Sequence, residues 1–455
     1  MRVFLRSNTM TADKGNLFHR NLQQGYPVIV RGEGIYLYDQ EGRRYIDGIA
    51  GAGNVTLGHG RKRIAAAMAE QAETLAYCFS AFFTNQPALD LAPRIAALAP
   101  GDLNSCYFVS GGSEAIETAF KLARQYHLQK GNSQKHKVIS RWRGYHGATL
   151  GAMAASGLPA QRNPFAPLLP DFPHIAACHP YRCALAGCEG VCNLMCARQL
   201  EETILQEGPE TVSAFVAEPV VMAGAAVAVP PDGYFAEIRE ICDRYEVLFI
   251  ADEIITGFGR TGRVFAMDHW GVVPDIIAFG KAASSGYIPL GGLVISDEIR
   301  QVFFDGGESF AHVFTYVNNP VAMRVCGTVL DIIAEEGIIE HVVEMGEYLA
   351  EKAEGFKQYA CVGDVRSKGL MMGIELVRDK QTKAPFAAQE GMAARGTSLA
   401  LQRGLHIAGV PGVADWVRGD DLRFYPPLVI TREQIDEAVG IIDEVLDELT
   451  REAGL

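Results

Sequence analysis

Two side chains define the chemistry this chain can do: Asp252, just after the apolar run Val247 to Ala251, and Lys281, just after Ile276 to Phe279. Runs this short and this uniformly apolar predict strands buried on both faces of a parallel sheet, and ligands collect at the carboxyl ends of such strands. A carboxylate at that edge can hold a protonated ring nitrogen. A lysine on the next loop can condense with an aldehyde to form a Schiff base. A third element, Ser110-Gly111-Gly112-Ser113, lies between an apolar strand and a helix. Glycines there let backbone N–H groups approach a phosphate at the positive end of the helix dipole, and Ser113 adds a hydroxyl.

The elements that must position these groups alternate between strand and helix periods from about residue 105 to 300, the pattern of an α/β layered domain with a mostly parallel sheet. Strands are predicted at Cys106 to Val109, Val138 to Arg141, Val212 to Ala217, Leu248 to Ala251, Ile276 to Phe279 and Leu293 to Ile295. Helices are predicted at Ser113 to Gln129 and, opened by proline, Pro231 to Arg244. After Asn319-Pro320 come two amphipathic helices, Val321 to Glu336 and Ile338 to Lys357, then strand-like Val362 to Val377 and a final helix from Arg432 to Glu452. Ile35 to Asp39 and Tyr45 to Ile49 read as a hairpin. The expected organisation is an N-terminal segment (1–60) packing with the small domain, a large domain (61–319) and a C-terminal small α+β domain (320–455).

Bulk composition narrows the function class. The 455 residues are 48% hydrophobic and 21% charged, ordinary values for a soluble globular protein, and the net charge of -13 argues against a nucleic-acid partner. No run approaches a membrane span, and Met1 to Gly15 has no apolar signal core, so the expectation is a cytoplasmic protein with no membrane partner.

The runs Asp252-Glu253-Ile254-Ile255-Thr256-Gly257-Phe258-Gly259-Arg260-Thr261-Gly262 and Gly280-Lys281 through Gly286-Tyr287-Ile288-Pro289-Leu290-Gly291 are similar to those of the class III aminotransferases, and the resemblance extends over nearly the whole chain. It implies fold type I of the pyridoxal 5'-phosphate (PLP) enzymes and an amino transfer from a primary amine or ω-amino acid to a 2-oxo acid, pyruvate or 2-oxoglutarate, by a ping-pong route. An aminomutase or racemase on the same scaffold is the alternative. By resemblance Lys281 carries the cofactor and moves the proton, and Asp252 holds the ring nitrogen. Gly112 and Ser113 belong to the phosphate cup, in which Gly111 takes a place often held by serine. Tyr145, in Arg143-Gly144-Tyr145-His146-Gly147, is expected against one face of the ring and Ile254 against the other, with His146 beside them. Thr315, in Phe314-Thr315-Tyr316, implies a homodimer with shared sites, which can pair further into a tetramer.

On the substrate side, Glu218-Pro219 and Leu422-Arg423-Phe424-Tyr425-Pro426-Pro427-Leu428 resemble elements of ornithine and 4-aminobutyrate aminotransferases, where a glutamate neutralises an arginine and releases it for the second substrate. A permanent ion pair of Glu218 and Arg423 is the other reading. Gly53 stands where related enzymes often carry a tryptophan, which should open one side of the pocket. Arg162 and Arg418 are alternatives to Arg423 for an acceptor carboxylate, and the loop Gly409 to Asp421 is a candidate cover for the pocket, or else a surface excursion. Five cysteines (Cys178, Cys183, Cys188, Cys192, Cys196) crowd together with His174 and His179, at spacings that match none of the common zinc or iron–sulfur patterns. Reduced thiols, and no metal, are the expectation.

Overall fold

The computed structural model describes residues 16–183, 185 and 192–455. Cys188 of the cysteine cluster lies outside the described residues.

The chain opens with β1 (Ile29–Glu33), β2 (Tyr36–Asp39) and β3 (Arg44–Asp47), an antiparallel meander whose β2–β3 pair is the predicted hairpin. Helices α1 (Lys62–Thr74) and α2 (Gln86–Ala96) lead into a seven-stranded sheet. Its strands are β4 (Leu103–Val109), β5 (Lys137–Arg141), β6 (His174–Ile175), β7 (Val212–Ala217), β8 (Leu248–Asp252), β9 (Ile276–Phe279) and β10 (Gly291–Ser296), in spatial order β4-β10-β9-β8-β7-β5-β6. Only β10 runs antiparallel to its neighbours. Every residue of β7 to β10 is buried, which explains why these strands read as unbroken apolar runs and not as alternating ones. Helix α3 (Gly112–Gln129) follows β4 and lies on one face of this sheet.

The predicted helix from Pro231 begins three residues later, at Tyr234. Gly233 has φ of 84°, outside the helical region, so it ends the loop and leaves the proline in the lead-in. Helix α4 (Pro320–Glu335) packs on α1 and α2, and α5 (Ile338–Glu354) follows it, closing in a short 3-10 turn. The single strand-like run from 362 to 377 is two strands, β11 (Val362–Ser367) and β12 (Met372–Leu376), turning at Gly369, whose φ is 54°. A Cβ on Gly369 would strike the Thr261 backbone.

After helix α6 (Met392–Gln402) the chain divides its strands between two sheets. β13 (Leu405–His406) joins β3 in parallel, whereas β14 (Ala408–Pro411) and β15 (Asp420–Phe424) complete an antiparallel sheet in the order β11-β12-β15-β14. Helix α7 (Arg432–Glu452) closes the chain, with Thr431 and Gln434 forming a capping box. Among the described residues no helix is long and apolar enough to cross a membrane.

Candidate active site

The loops after β4, β5, β7, β8 and β9 leave the same edge of the large sheet and enclose a cavity of about 220 Å³. Gly112, Ser113, Tyr145, His146, Glu218, Asp252, Ile254 and Lys281 all line it. These residues come from five separate stretches of sequence, and the parallel sheet brings their loops together at its carboxyl edge.

Asp252 ends β8 and is 2% exposed. Its Oδ2 lies 2.6 Å from Nδ1 of His146, and its Oδ1 accepts the Ile254 N–H at 3.1 Å. His146 Nε2 is buried with no partner among the described residues, so the ring's visible bond is the one to Asp252. Lys281 follows β9 in a left-handed backbone conformation, φ of 40°, that a lysine rarely adopts without a reason. Burial pushes its ammonium below the usual value. Arg260 acts in the same direction, and the carboxylates of Asp252 and Glu218 oppose it.

Helix α3 starts at Gly112, with its first-turn N–H groups directed to the cavity end of the sheet. Ser113 Oγ accepts the Ala148 N–H at 3.0 Å, tying the Tyr145-His146-Gly147 loop to this helix. Gly147 has φ of 142°, and a Cβ there would overlap Ser113 and Ala152; a Cβ on Gly112 would press on Ile254. Bare backbone at both positions lets the two loops close around a small group.

A second cavity of about 290 Å³ shares Tyr145 and Ala223 with the first. Its walls are Leu158, Pro159, Val410, Pro411, Val413 and Trp416, with Arg423 as the one charged lining residue. The loop after β14 is thus a wall of this pocket. Arg143 pins it, donating to the carbonyls of Val413 (2.7 Å) and Ala414 (2.9 Å), with its guanidinium 4.2 Å from the Trp416 ring centroid.

Other sequence-predicted residues fall elsewhere. Glu218 and Arg423 do not meet: Glu218 accepts the N–H groups of Tyr145 (2.9 Å) and Met222 (3.4 Å), while Arg423 forms a fork with Asp421. Burial pushes Glu218 above the usual carboxylate range. Arg162 lines neither cavity; its Nη1 lies 2.9 Å from His174 Nε2. Arg418 is paired with Asp415 on the outside of the loop. Gly53, with φ of 79°, is not among the lining residues of either cavity, and a Cβ there would touch Ile255, which is. Thr315 is exposed, and its carbonyl accepts from the Tyr77 hydroxyl. Cys78, Cys106, Cys178, Cys192, Cys196, Cys242, Cys326 and Cys361 are free thiols, and no group of three or more metal-ligating side chains that could hold an ion occurs among the described residues.

The sequence profile described as "Aminotransferase class-III" matches residues 18–446. The chain belongs to the class III aminotransferases. A probable aminotransferase of Mycobacterium tuberculosis is 41% identical, with 94% of this chain and 91% of the relative covered. The putrescine–pyruvate aminotransferase of Pseudomonas aeruginosa is 38% identical over 94% of this chain and 91% of its own. The ω-transaminase of Pseudomonas jessenii, solved in complex with PMP, superposes with a TM-score of 0.90 at 33% identity, covering 97% of this chain and 98% of that one. A class III aminotransferase is a PLP-dependent enzyme of fold type I, and this one has the matching donor set: an amine, a buried carboxylate and a helix N-terminus with a hydroxyl around one cavity.

Sequence reasoning missed three features here. Asp421 escaped because only Arg423 was matched to a motif, although residues two apart on a strand share a face. The Asp252–His146 contact joins positions 106 apart, and no local pattern marks it. Arg143 was read only as part of its motif, and its pinning of a loop about 270 positions away has no sequence signature.

Proposed function

We propose that this aminotransferase moves an amino group from a primary amine or ω-amino acid to a 2-oxo acid, pyruvate or 2-oxoglutarate, in two half-reactions at one site. The observation that carries the reading is the convergence of Lys281, Asp252, Tyr145, Ile254, His146 and Ser113 on one cavity, which shares the walls Tyr145 and Ala223 with a second, mostly apolar one lined by a single arginine. The name of the P. aeruginosa relative supports a primary-amine donor and pyruvate as acceptor.

Bound PLP supplies an aldehyde for the amino group and a ring that draws electron density from the substrate carbon. Lys281 Nζ, with its ammonium lowered by burial, holds the cofactor at rest and then carries the proton to and from the substrate carbon. Asp252 would hold the protonated ring nitrogen, with His146 fixing its Oδ2. The start of α3 and Ser113 take the phosphate. Tyr145 and Ile254 flank the ring, and the apolar walls around Trp416 receive the donor's side chain. Arg423 takes the acceptor carboxylate, a task suited to a guanidinium. Thr315 reaches the neighbouring site in a homodimer.

The test is a panel of amines and ω-amino acids mixed with the cofactor-loaded enzyme without any oxo acid. Productive donors are expected to remove the visible absorbance of the lysine-bound cofactor, and addition of pyruvate or 2-oxoglutarate to restore it. Lys281→Ala should show neither change. Absence of any visible band after adding the cofactor overturns the reading.

A further inference from the structure

Arg423 and Asp421 lie two residues apart on β15 and therefore on one face of that strand. The guanidinium meets the carboxylate as a fork: Nε donates to Oδ1 at 2.8 Å and Nη2 to Oδ2 at 2.5 Å. That edge is consumed, and Nη1 of Arg423 has no protein partner among the described residues while the side chain lines the apolar cavity.

Asp421 does not itself line the cavity; its side chain is fully buried. Directly opposite it across the β12–β15 pair is Glu375, also fully buried. Two carboxylates facing each other in a dry interior repel, and the arrangement stands because cations surround it. Arg366 donates to Glu375 at 2.9 Å and to Asp364 at 2.7 Å, and Arg182 also pairs with Glu375. Arg366 further donates to the carbonyls of Ala226 (3.0 Å) and Ala225 (3.2 Å), next to the Ala223-Gly224 wall of the cavity. If Arg423 swung away from this frame, Asp421 would be left as a buried charge without its partner.

We propose that Asp421 is a positioning residue that fixes Arg423 as a standing receptor for the acceptor's carboxylate, so that this enzyme reads its 2-oxo acid with an arginine that does not move aside between half-reactions. The inference rests on the role given to Arg423 above. It replaces the switch expected from Glu218, which is bonded to the Tyr145 loop.

The test separates the half-reactions. Asp421→Asn removes the charge and one acceptor of the fork. It is expected to raise KM for pyruvate and 2-oxoglutarate about tenfold with kcat within about twofold. The rate at which a donor without a carboxylate, such as 1-phenylethylamine, discharges the visible absorbance should be unchanged. Arg423→Gln should raise KM for both oxo acids at least as far, and in that background Asp421→Asn should change KM no further. Equal losses in both half-reactions, or effects that multiply in the double variant, overturn the proposal. If Asp421→Asn does not fold, Arg423→Lys, which keeps the charge and loses the fork, carries the test: raised KM supports the proposal, and wild-type KM overturns it. Failure of the functional reading itself has a different signature, since no donor would then change the spectrum of the unmodified enzyme.

Discussion

Asp252 and Glu253 are neighbours with opposite surroundings. Asp252 faces the cavity, whereas Glu253 turns into the core, where Oε1 accepts the Met267 N–H at 2.9 Å and Oε2 accepts from the Thr256 hydroxyl. Burial pushes the Glu253 carboxyl up to about 7, against an ordinary 4.5. The folded protein therefore holds a proton on Glu253 that the unfolded chain releases between these values. This contribution to stability is complete below pH 4.5 and is lost as the pH rises through about 7. Glu253→Gln stays neutral at every pH, so its stability relative to wild type should rise between about pH 5 and 8, by roughly 1–3 kcal/mol. Urea unfolding of both proteins across that range checks it, and a difference independent of pH contradicts it. A second prediction at this scale concerns His146. Replacing it with alanine leaves Asp252 with one backbone donor, and cofactor affinity should fall about tenfold, or ~1.4 kcal/mol, in an equilibrium titration followed by absorbance.

At the scale of elements, the strands that carry the site were legible because burial on both faces writes itself as an apolar run, and the glycine-rich loops after them marked where chemistry could gather. Pairings between distant strands were not legible. β13 has two residues and joins β3 some 360 positions away, too short for any pattern and too far for any turn signal. β1 is exposed along most of its length, so no buried face announces it. The segment Gly409 to Asp421 reads in sequence as a cover or as a surface excursion, and the contacts that hold it have no local pattern: Arg143 donates to the Gly224, Val413 and Ala414 carbonyls. Arg143→Ala removes three hydrogen bonds and the Trp416 stack, and the opening free energy of this loop should fall by about 2–3 kcal/mol. Hydrogen exchange of residues 412–419 measures it, with slowed exchange in the wild type as the expected contrast.

Taken as a whole, the molecule exposes apolar surface that its own fold does not use. Phe82 is 80% exposed, Phe83 66% and Tyr316 60%, and the segment that carries the two phenylalanines is tied to that of Tyr316: Tyr77 meets the Tyr316 ring edge-on at 5.8 Å and donates to the Thr315 carbonyl, and Asn85 donates to the Asn318 carbonyl at 2.8 Å. Clustered aromatic exposure of this kind marks a protein–protein surface, and a second copy of the chain is its expected cover. Light scattering should then give twice the 49.4 kDa chain mass. If Thr315 serves the partner's site, Lys281→Ala and Thr315→Ala place their defects in the same site of a mixed dimer and leave the other site intact. Coexpression of the two variants should therefore restore activity to about a quarter of wild type, the share of intact sites after random pairing. If Thr315 served its own subunit, every site in the mixed dimer would carry one defect, and coexpression would give no more than the average of the two variants.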